Sequence, residues 1–167
     1  MRWPTGTAAI SISIRPRWIS YRTRPNSTDV PARYQCHLCA APSEPGDPNV
    51  LAWAARINLA DFFLSTITVF EIERGILLLN RRDPAQAAML RVWMDDRVMA
   101  DFADRILPVD IPVARRCAAL HVPDPRPERD AMIAATALVH GLTVVTRNTA
   151  DFLATGVPLL NPWEDPA

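Results

Sequence analysis

A helix followed directly by a buried strand is encoded in residues 130–148, which read DAMIAATALVHGLTVVTRN. Asp130 is a residue type that begins helices because its carboxylate satisfies free backbone N–H groups, and the residues after it favour a helix as far as His140. Gly141 is the residue type that ends a helix in the left-handed conformation. Residues 142–146 are mostly β-branched, which is typical of a strand inside a sheet. The stretch therefore predicts one helix–strand unit of an α/β domain.

The same alternation of strands and helices extends outward from this unit. We predict four further helices, a Pro-rich loop before Asp130 and two further strands. The first helix is expected to follow Asp47, with Pro48 at its first position, and the others are expected from Thr68 to Leu79, from Pro84 to Met94 and from Asp110 to Leu120. The strands are expected at 62–67 and 105–109, and the loop at 122–129. Alternating strands and helices favour an α/β fold with a largely parallel sheet.

The composition fits a globular protein without a membrane segment. Hydrophobic residues make up 49% of the 167 residues, and the formal net charge is zero, so the composition gives no overall basic footprint for nucleic acid. No stretch approaches the roughly 18 apolar residues that a membrane-spanning helix needs. The three cysteines, Cys36, Cys39 and Cys117, are odd in number and widely spaced, which argues against a disulfide framework. We therefore expect a reduced, cytoplasmic protein with no membrane contact.

The first 46 residues differ in character from the rest. They contain six Arg but only two acids, Asp29 and Glu44, whereas residues 47–167 contain twelve Arg and sixteen acids. Residues 9–14 alternate like a strand, but prolines interrupt the segment six times and no helical period is present. We expect residues 1–46 to be non-native or disordered and residues 47–167 to form the domain.

Three carboxylates are placed where strands and helices meet. Glu71 and Asp151 each follow a predicted strand, and Asp130 opens the helix that leads into one. Functional groups of open α/β sheets gather beyond the carboxyl ends of the strands. Grouped carboxylates repel one another unless a cation lies between them, and oxygen ligands suit Mg²⁺ or Mn²⁺. An ordinary alternative is that Glu71 and Asp130 only complement helix dipoles.

Four linked segments resemble, in order, the motifs of VapC-like PIN domains. They are FLSTITVFEIERG at 63–75, DRILPVD at 104–110, DAMIAATALVHGLTVVTRN at 130–148, and TADF at 149–152 with NPWE at 161–164. The resemblance covers about residues 47–165. It implies a PIN-like three-layer α/β/α fold with a mainly parallel central sheet.

The resemblance also implies a function and its residues. PIN domains of this type are Mg²⁺-dependent (or Mn²⁺-dependent) endoribonucleases that form the toxin half of a toxin–antitoxin pair. Glu71 and Asp130 correspond to catalytic metal-binding acids, and Asp151 corresponds to the fourth acid, although some relatives carry that acid where Asn148 stands. Arg147 could contact an RNA phosphate or pair with Asp151. The implied partners are RNA, an antitoxin whose tail covers the acidic site, and a second copy of the chain.

The motif that should open such a domain is missing. PIN domains begin with a central strand ending in a Leu-Asp-Thr-Asn-type motif, whose Asp is the first metal ligand, and Asp29 is instead followed by Val-Pro. Codons exist for residues 29–41 that, translated one nucleotide later, give MYLLDTNVISAL, and the frame would recover near Pro42. A frameshift therefore accounts for the aberrant N-terminus, and a divergent but genuine N-terminus is the alternative.

Two other functions stay open at this point. A chain without the first acid could be a catalytically dead remnant that only binds the antitoxin or dimerises. Some relatives act beside DNA-bound antitoxins, so a DNA-directed protein is a further alternative, although residues 47–167 carry more acids than Arg.

Overall fold

A five-stranded sheet forms the centre of the structure. The computed structural model describes the backbone of residues 19–21 and, beyond them, residues 47–164. The strands are β1 (Ile19–Tyr21), β2 (Phe62–Ser65), β3 (Ile106–Leu107), β4 (Thr143–Val145) and β5 (Leu159–Leu160). They lie in the order β3, β2, β1, β4, β5. The pairs β2–β3 and β4–β5 are parallel, whereas β1 is antiparallel to both neighbours, so four of the five strands run in one direction.

Helices connect these strands. They are α1 (Pro48–Ala54), α2 (Thr66–Asn80), α3 (Pro84–Trp93), α4 (Met99–Asp101), α5 (Ile111–Leu120) and α6 (Glu128–His140). A π-helical turn at Met94–Val98 joins α3 to α4, and short 3₁₀ turns lie at Leu59–Asp61, Thr149–Asp151 and Leu153–Thr155. Among the residues described, no helix is both long enough and apolar enough to span a bilayer.

Side-chain alternation along the strands separates two apolar cores. Phe62 and Leu64 of β2 join a core built with α1, α2 and α3, whereas Phe63 packs against the core of α6. Val145 and Val144 of β4 divide in the same way. Because successive strand residues point to opposite faces of a sheet, α1–α3 and α6 cover opposite faces, and α5 packs on α6. This arrangement confirms the expected three-layer α/β/α fold.

Three helices begin where the sequence places an aspartate just before a proline-containing first turn. The carboxylates of Asp47, Asp83 and Asp110 accept hydrogen bonds of 2.9–3.0 Å from backbone N–H groups two or three residues later. Each bond satisfies a helix donor that has no partner within the helix. The predicted beginnings of α1, α3 and α5 are therefore confirmed.

Two predicted helix beginnings are wrong. The helix α2 begins at Thr66, because the Ser65 hydroxyl accepts from the N–H of Ile67 at 3.2 Å, and Thr68 is buried inside the first turn instead of capping it. The helix α6 begins at Glu128, which places Asp130 at its third residue. The strands are also shorter than predicted at both 62–67 and 105–109. Gly141 ends α6 as expected, with φ of 64°.

The centre of the sheet is occupied by a strand from the segment that we expected to contribute none. Ile19–Tyr21 lies between β2 and β4 and pairs Ser20 with Phe63 on one side and with Val144 on the other. A strand at this position supplies partners to backbone groups of β2 and β4 that are costly to bury unpaired. The alternating stretch at 9–14 lies outside the described residues, and the domain boundary at residue 46 stays a prediction.

Candidate active site

An open cleft of about 390 Å³ lies between the first half of α2 and the beginning of α6. The described part of its lining contains three acids and one base: Glu71, Glu128, Asp130 and Arg129, with Pro127 beside them. The structure thus brings together Glu71 and Asp130, two of the three predicted metal-binding acids, from positions 59 residues apart in the sequence.

The helix dipole does not explain Glu71. Because α2 begins at Thr66, Glu71 is its sixth residue and lies in the second turn. The favourable effect of a negative charge on a helix dipole fades beyond the first turn. Asp130 remains in the first turn of α6, so the dipole does favour its charge there. The helix dipole therefore accounts for the charge of Asp130 but not for that of Glu71.

A guanidinium group already contacts one of these carboxylates. Arg129 Nη1 donates a hydrogen bond to Glu71 Oε1 at 3.3 Å. The Glu71 side chain is 20% exposed and the Arg129 side chain 48% exposed, so the acid is largely withdrawn from water while the base reaches into it. The described lining, with three carboxylates and one guanidinium, carries an excess of negative charge, which attracts cations.

Asp151 and Asn148 form a second polar unit beyond β4. The Asn148 side-chain amide donates a hydrogen bond to Asp151 Oδ2. The Asn148 backbone N–H donates to Oγ1 of the fully buried Thr146 at 2.9 Å, which fixes the turn. The sequence left open whether Asn148 or Asp151 occupies the position of the fourth acid, and the structure joins these two residues by a hydrogen bond. Arg147 is exposed.

The direction of the strands relates this unit to the cleft. Because β2 and β4 are both antiparallel to β1, they run parallel to each other, and their carboxyl ends lie at the same edge of the sheet. Glu71 follows β2, and Asp151 follows β4. Both acids are thus on elements that leave this edge, as expected of functional groups in an open α/β sheet.

The donor set fits a hard divalent cation. Glu71 and Asp130 offer only carboxylate oxygens, which are the ligands that Mg²⁺ and Mn²⁺ prefer, and the Arg129 contact shows that Glu71 accepts a positive neighbour. Asp151 does not line the cleft. In residues 47–164, no three His, Cys, Asp or Glu side chains are placed to hold a metal ion together. The set of three metal-binding acids stays a prediction.

Sequence reasoning missed the roles of two arginines. Arg129 was not singled out, because its partner Glu71 lies 58 residues away in the sequence. Arg91 donates two hydrogen bonds to Glu73, of 2.6 and 2.7 Å, and this contact joins α3 to α2. The hydrogen-bonded Glu73 carboxylate raises the pKa of Arg91 further above its usual range. Glu73 therefore contributes to the contact between α2 and α3 and does not line the cleft.

Comparison with known proteins gives consistent matches. The PIN domain family matches residues 43–157. The toxin FitB of Neisseria gonorrhoeae is 40% identical over 134 residues, which cover 74% of this chain and 94% of FitB. The VapC ribonuclease Y4jK of Sinorhizobium fredii is 34% identical over 125 residues, covering 71% of this chain and 86% of that protein.

A solved structure agrees with these matches. The crystal structure of FitAcB from Neisseria gonorrhoeae superimposes with a TM-score of 0.68 at 36% identity, covering 74% of this chain and 92% of that chain. The family match spans more than half of the sequence and includes Glu71, Asp130, Asn148 and Asp151. The chain belongs to the PIN-domain family of VapC-type toxins.

Proposed function

We propose that this protein is a Mg²⁺-dependent endoribonuclease and the toxin of a toxin–antitoxin pair. The observation that carries the proposal is the shared cleft of Glu71 and Asp130, an oxygen-only donor pair on a PIN fold. The names of two relatives support it, since one is a toxin and another a VapC ribonuclease.

Each residue of the site would have its own role in the cleavage of RNA. Glu71 and Asp130 would hold Mg²⁺ or Mn²⁺, which would lower the pKa of a bound water and stabilise negative charge on a phosphodiester. Asp151 lies outside the cleft lining but leaves the same sheet edge, and Asn148 fixes its carboxylate through their hydrogen bond. As the counterpart of the family's fourth acid, Asp151 would accept the proton of the attacking water, while the P–O bond to a ribose oxygen breaks and that oxygen takes a proton from solvent. The exposed Arg147 is available to a backbone phosphate of the RNA.

The proposal includes two protein partners. An antitoxin is supported by the similarity to FitB, a named toxin whose solved form is the FitAcB assembly. A second copy of the chain is supported by large apolar side chains that α2 and α3 leave exposed, namely Phe70, Leu77, Met89 and Val92. Light scattering of the purified protein tests the homodimer, because a monomer mass at micromolar concentration would contradict it.

A catalytically dead remnant is the second candidate. It is favoured by the lack of a Leu-Asp-Thr-Asn-type motif in the sequence and by the reversed direction of β1 at the centre of the sheet. One fewer acid weakens the hold on a cation, so we expect slow cleavage at best from the chain as written.

Cleavage of a labelled single-stranded RNA separates the two candidates. We expect the full chain to cut RNA slowly with Mn²⁺, not to cut it with EDTA, and to leave a DNA of the same sequence intact. The substitutions Glu71→Gln and Asp130→Asn should abolish cleavage. Glu73→Gln is the matched control, because it makes the same change two residues from Glu71 on a side chain that pairs with Arg91.

The outcomes are distinct. Cleavage that persists in Glu71→Gln would show a contaminating nuclease or a different site and would refute the proposal. No cleavage by the full chain at any Mn²⁺ concentration, with a folded protein, would favour the remnant.

A further inference from the structure

The contact between Arg129 and Glu71 joins the two sides of the cleft. Arg129 is the second residue of α6 and lies next to Asp130, and its guanidinium reaches across to the Glu71 carboxylate on α2 at 3.3 Å. Arg129 therefore contacts one of the two acids that are proposed to bind the cation and is the chain neighbour of the other.

A divalent cation and this guanidinium compete for the negative charge of the Glu71 carboxylate. A cation bound to either oxygen of Glu71 lies close to the Arg129 guanidinium, and the two positive charges repel each other at such a distance. The ion pair is partly exposed, which keeps its strength low enough for a cation to break it.

The released guanidinium has a suitable ligand in RNA. The cleft contains Glu71, Glu128 and Asp130, whose charges repel a phosphodiester. Arg129 is the single basic residue in the described lining of the cleft, and its planar donors match phosphate oxygens. Its side chain is almost half exposed, so an incoming phosphate has access to it.

We propose that Arg129 is an internal counter-ion of the metal site that exchanges partners during binding. Before the cation binds, it neutralises Glu71, and after the cation binds, it contacts a phosphate of the RNA. This inference rests on the proposed metal-dependent function. It makes Arg129 a residue that weakens cation binding and strengthens RNA binding.

Opposite changes in two affinities test the exchange. Mn²⁺ binding to the full chain without RNA is measured from the electron paramagnetic resonance signal of free Mn²⁺. Binding of a fluorescein-labelled single-stranded RNA is measured by anisotropy in Ca²⁺, which also takes oxygen ligands. The variants are Arg129→Gln, Arg129→Lys and Glu71→Gln.

The matched control is Arg82→Gln, which removes the same charge. Arg82 is exposed and lies beyond the end of α2, whose helical rise separates Glu71 from Asn80 by about 14 Å. We expect Arg129→Gln to bind Mn²⁺ about two- to fivefold more tightly than Arg82→Gln, as loss of a partly exposed competing ion pair predicts. We expect it to bind the RNA more weakly than Arg82→Gln, with partial rescue in Arg129→Lys.

Each contrary result has its own meaning. Equal or weaker Mn²⁺ binding by Arg129→Gln than by Arg82→Gln, while Glu71→Gln loses Mn²⁺, would overturn the counter-ion role and leave the metal site standing. A wild-type chain that binds no Mn²⁺, or a Glu71→Gln variant that binds it as the wild type does, would overturn the metal site and the counter-ion role together. A role in stability alone would lower the melting temperature without moving the two affinities in opposite directions.

Discussion

Replacing residues 1–41 with the shifted-frame peptide MYLLDTNVISAL should stabilise the domain and complete its acidic site. Two observations motivate this change. The match to the PIN family begins at residue 43, next to Pro42, where the shifted frame would rejoin the sequence. The central position of the sheet lies between two strands of one direction, yet β1 fills it in the other direction. We propose that the position belongs to a parallel strand supplied by the peptide.

The register of β1 sets the scale of the gain. Its described pairing with β2 covers Phe62 and Phe63 but not Leu64 and Ser65. A longer parallel strand would add about two backbone hydrogen bonds there, each worth about 1 kcal/mol net. Both faces of the sheet are covered at this point, since Phe62, Leu64 and Val144 are at most 1% exposed. The two adjacent leucines that precede the Asp of the peptide would be buried, at about 1.5–3 kcal/mol each as an upper bound.

Loss of the contacts of β1 offsets part of this gain. We expect a net increase of about 3 kcal/mol in the free energy of unfolding, or about 10 °C in Tm for a domain of this size. Urea unfolding followed by circular dichroism measures it. The Asp of the peptide would end the new strand at the same sheet edge from which the elements carrying Glu71 and Asp151 extend. The affinity of the site for Mn²⁺ should therefore rise as well.

A variant of the new chain separates stability from metal binding. Changing the single Asp of the peptide to Asn should keep the added stability and remove the added Mn²⁺ affinity. A replaced chain that is no more stable than the original would refute the reasoning about the strand. Determining the codons of residues 29–41 gives an independent check, because codons that cannot encode the shifted peptide would exclude the frameshift.

Three smaller effects follow from individual residues. Glu73→Gln should lower the free energy of unfolding by up to about 1 kcal/mol in a urea melt, because the side chains of its pair with Arg91 are about one-third exposed. A larger loss would contradict the weak contribution expected of such an exposed ion pair. Gly141→Ala should cost about 1 kcal/mol from its φ of 64° alone, since nothing lies within 4 Å of an added Cβ, and an unchanged melt would contradict the left-handed helix end. Burial raises the pKa of the Cys117 thiol. In a variant with the other two cysteines changed to Ser, Cys117 should therefore react with iodoacetamide at pH 7.5 far more slowly in the folded than in the urea-unfolded protein. Equal rates would show that the thiol is accessible in the folded protein.

Features that depend on neighbouring residues were predictable from the sequence. An Asp with a proline one or two residues after it supplies both the cap and the fixed backbone angle of a helix beginning, which is why α1, α3 and α5 begin where expected. Gly141 likewise ends α6 through its own backbone conformation. The alternation of strands and helices was enough to predict an α/β fold with a largely parallel sheet, whereas the three layers were implied by the resemblance to VapC-like PIN domains.

Features that depend on distant partners were not predictable. Ser65 and Thr68 are both residue types that begin helices, and the choice between them is made by packing, which buries Thr68. That choice moves Glu71 from the first turn to the second and removes the ordinary explanation of its charge. The contact of Glu71 with Arg129 spans 58 residues and exists only because α6 begins beside α2. No pattern in the sequence carries that information, and so the residue that would control access of a cation to Glu71 became visible only in three dimensions.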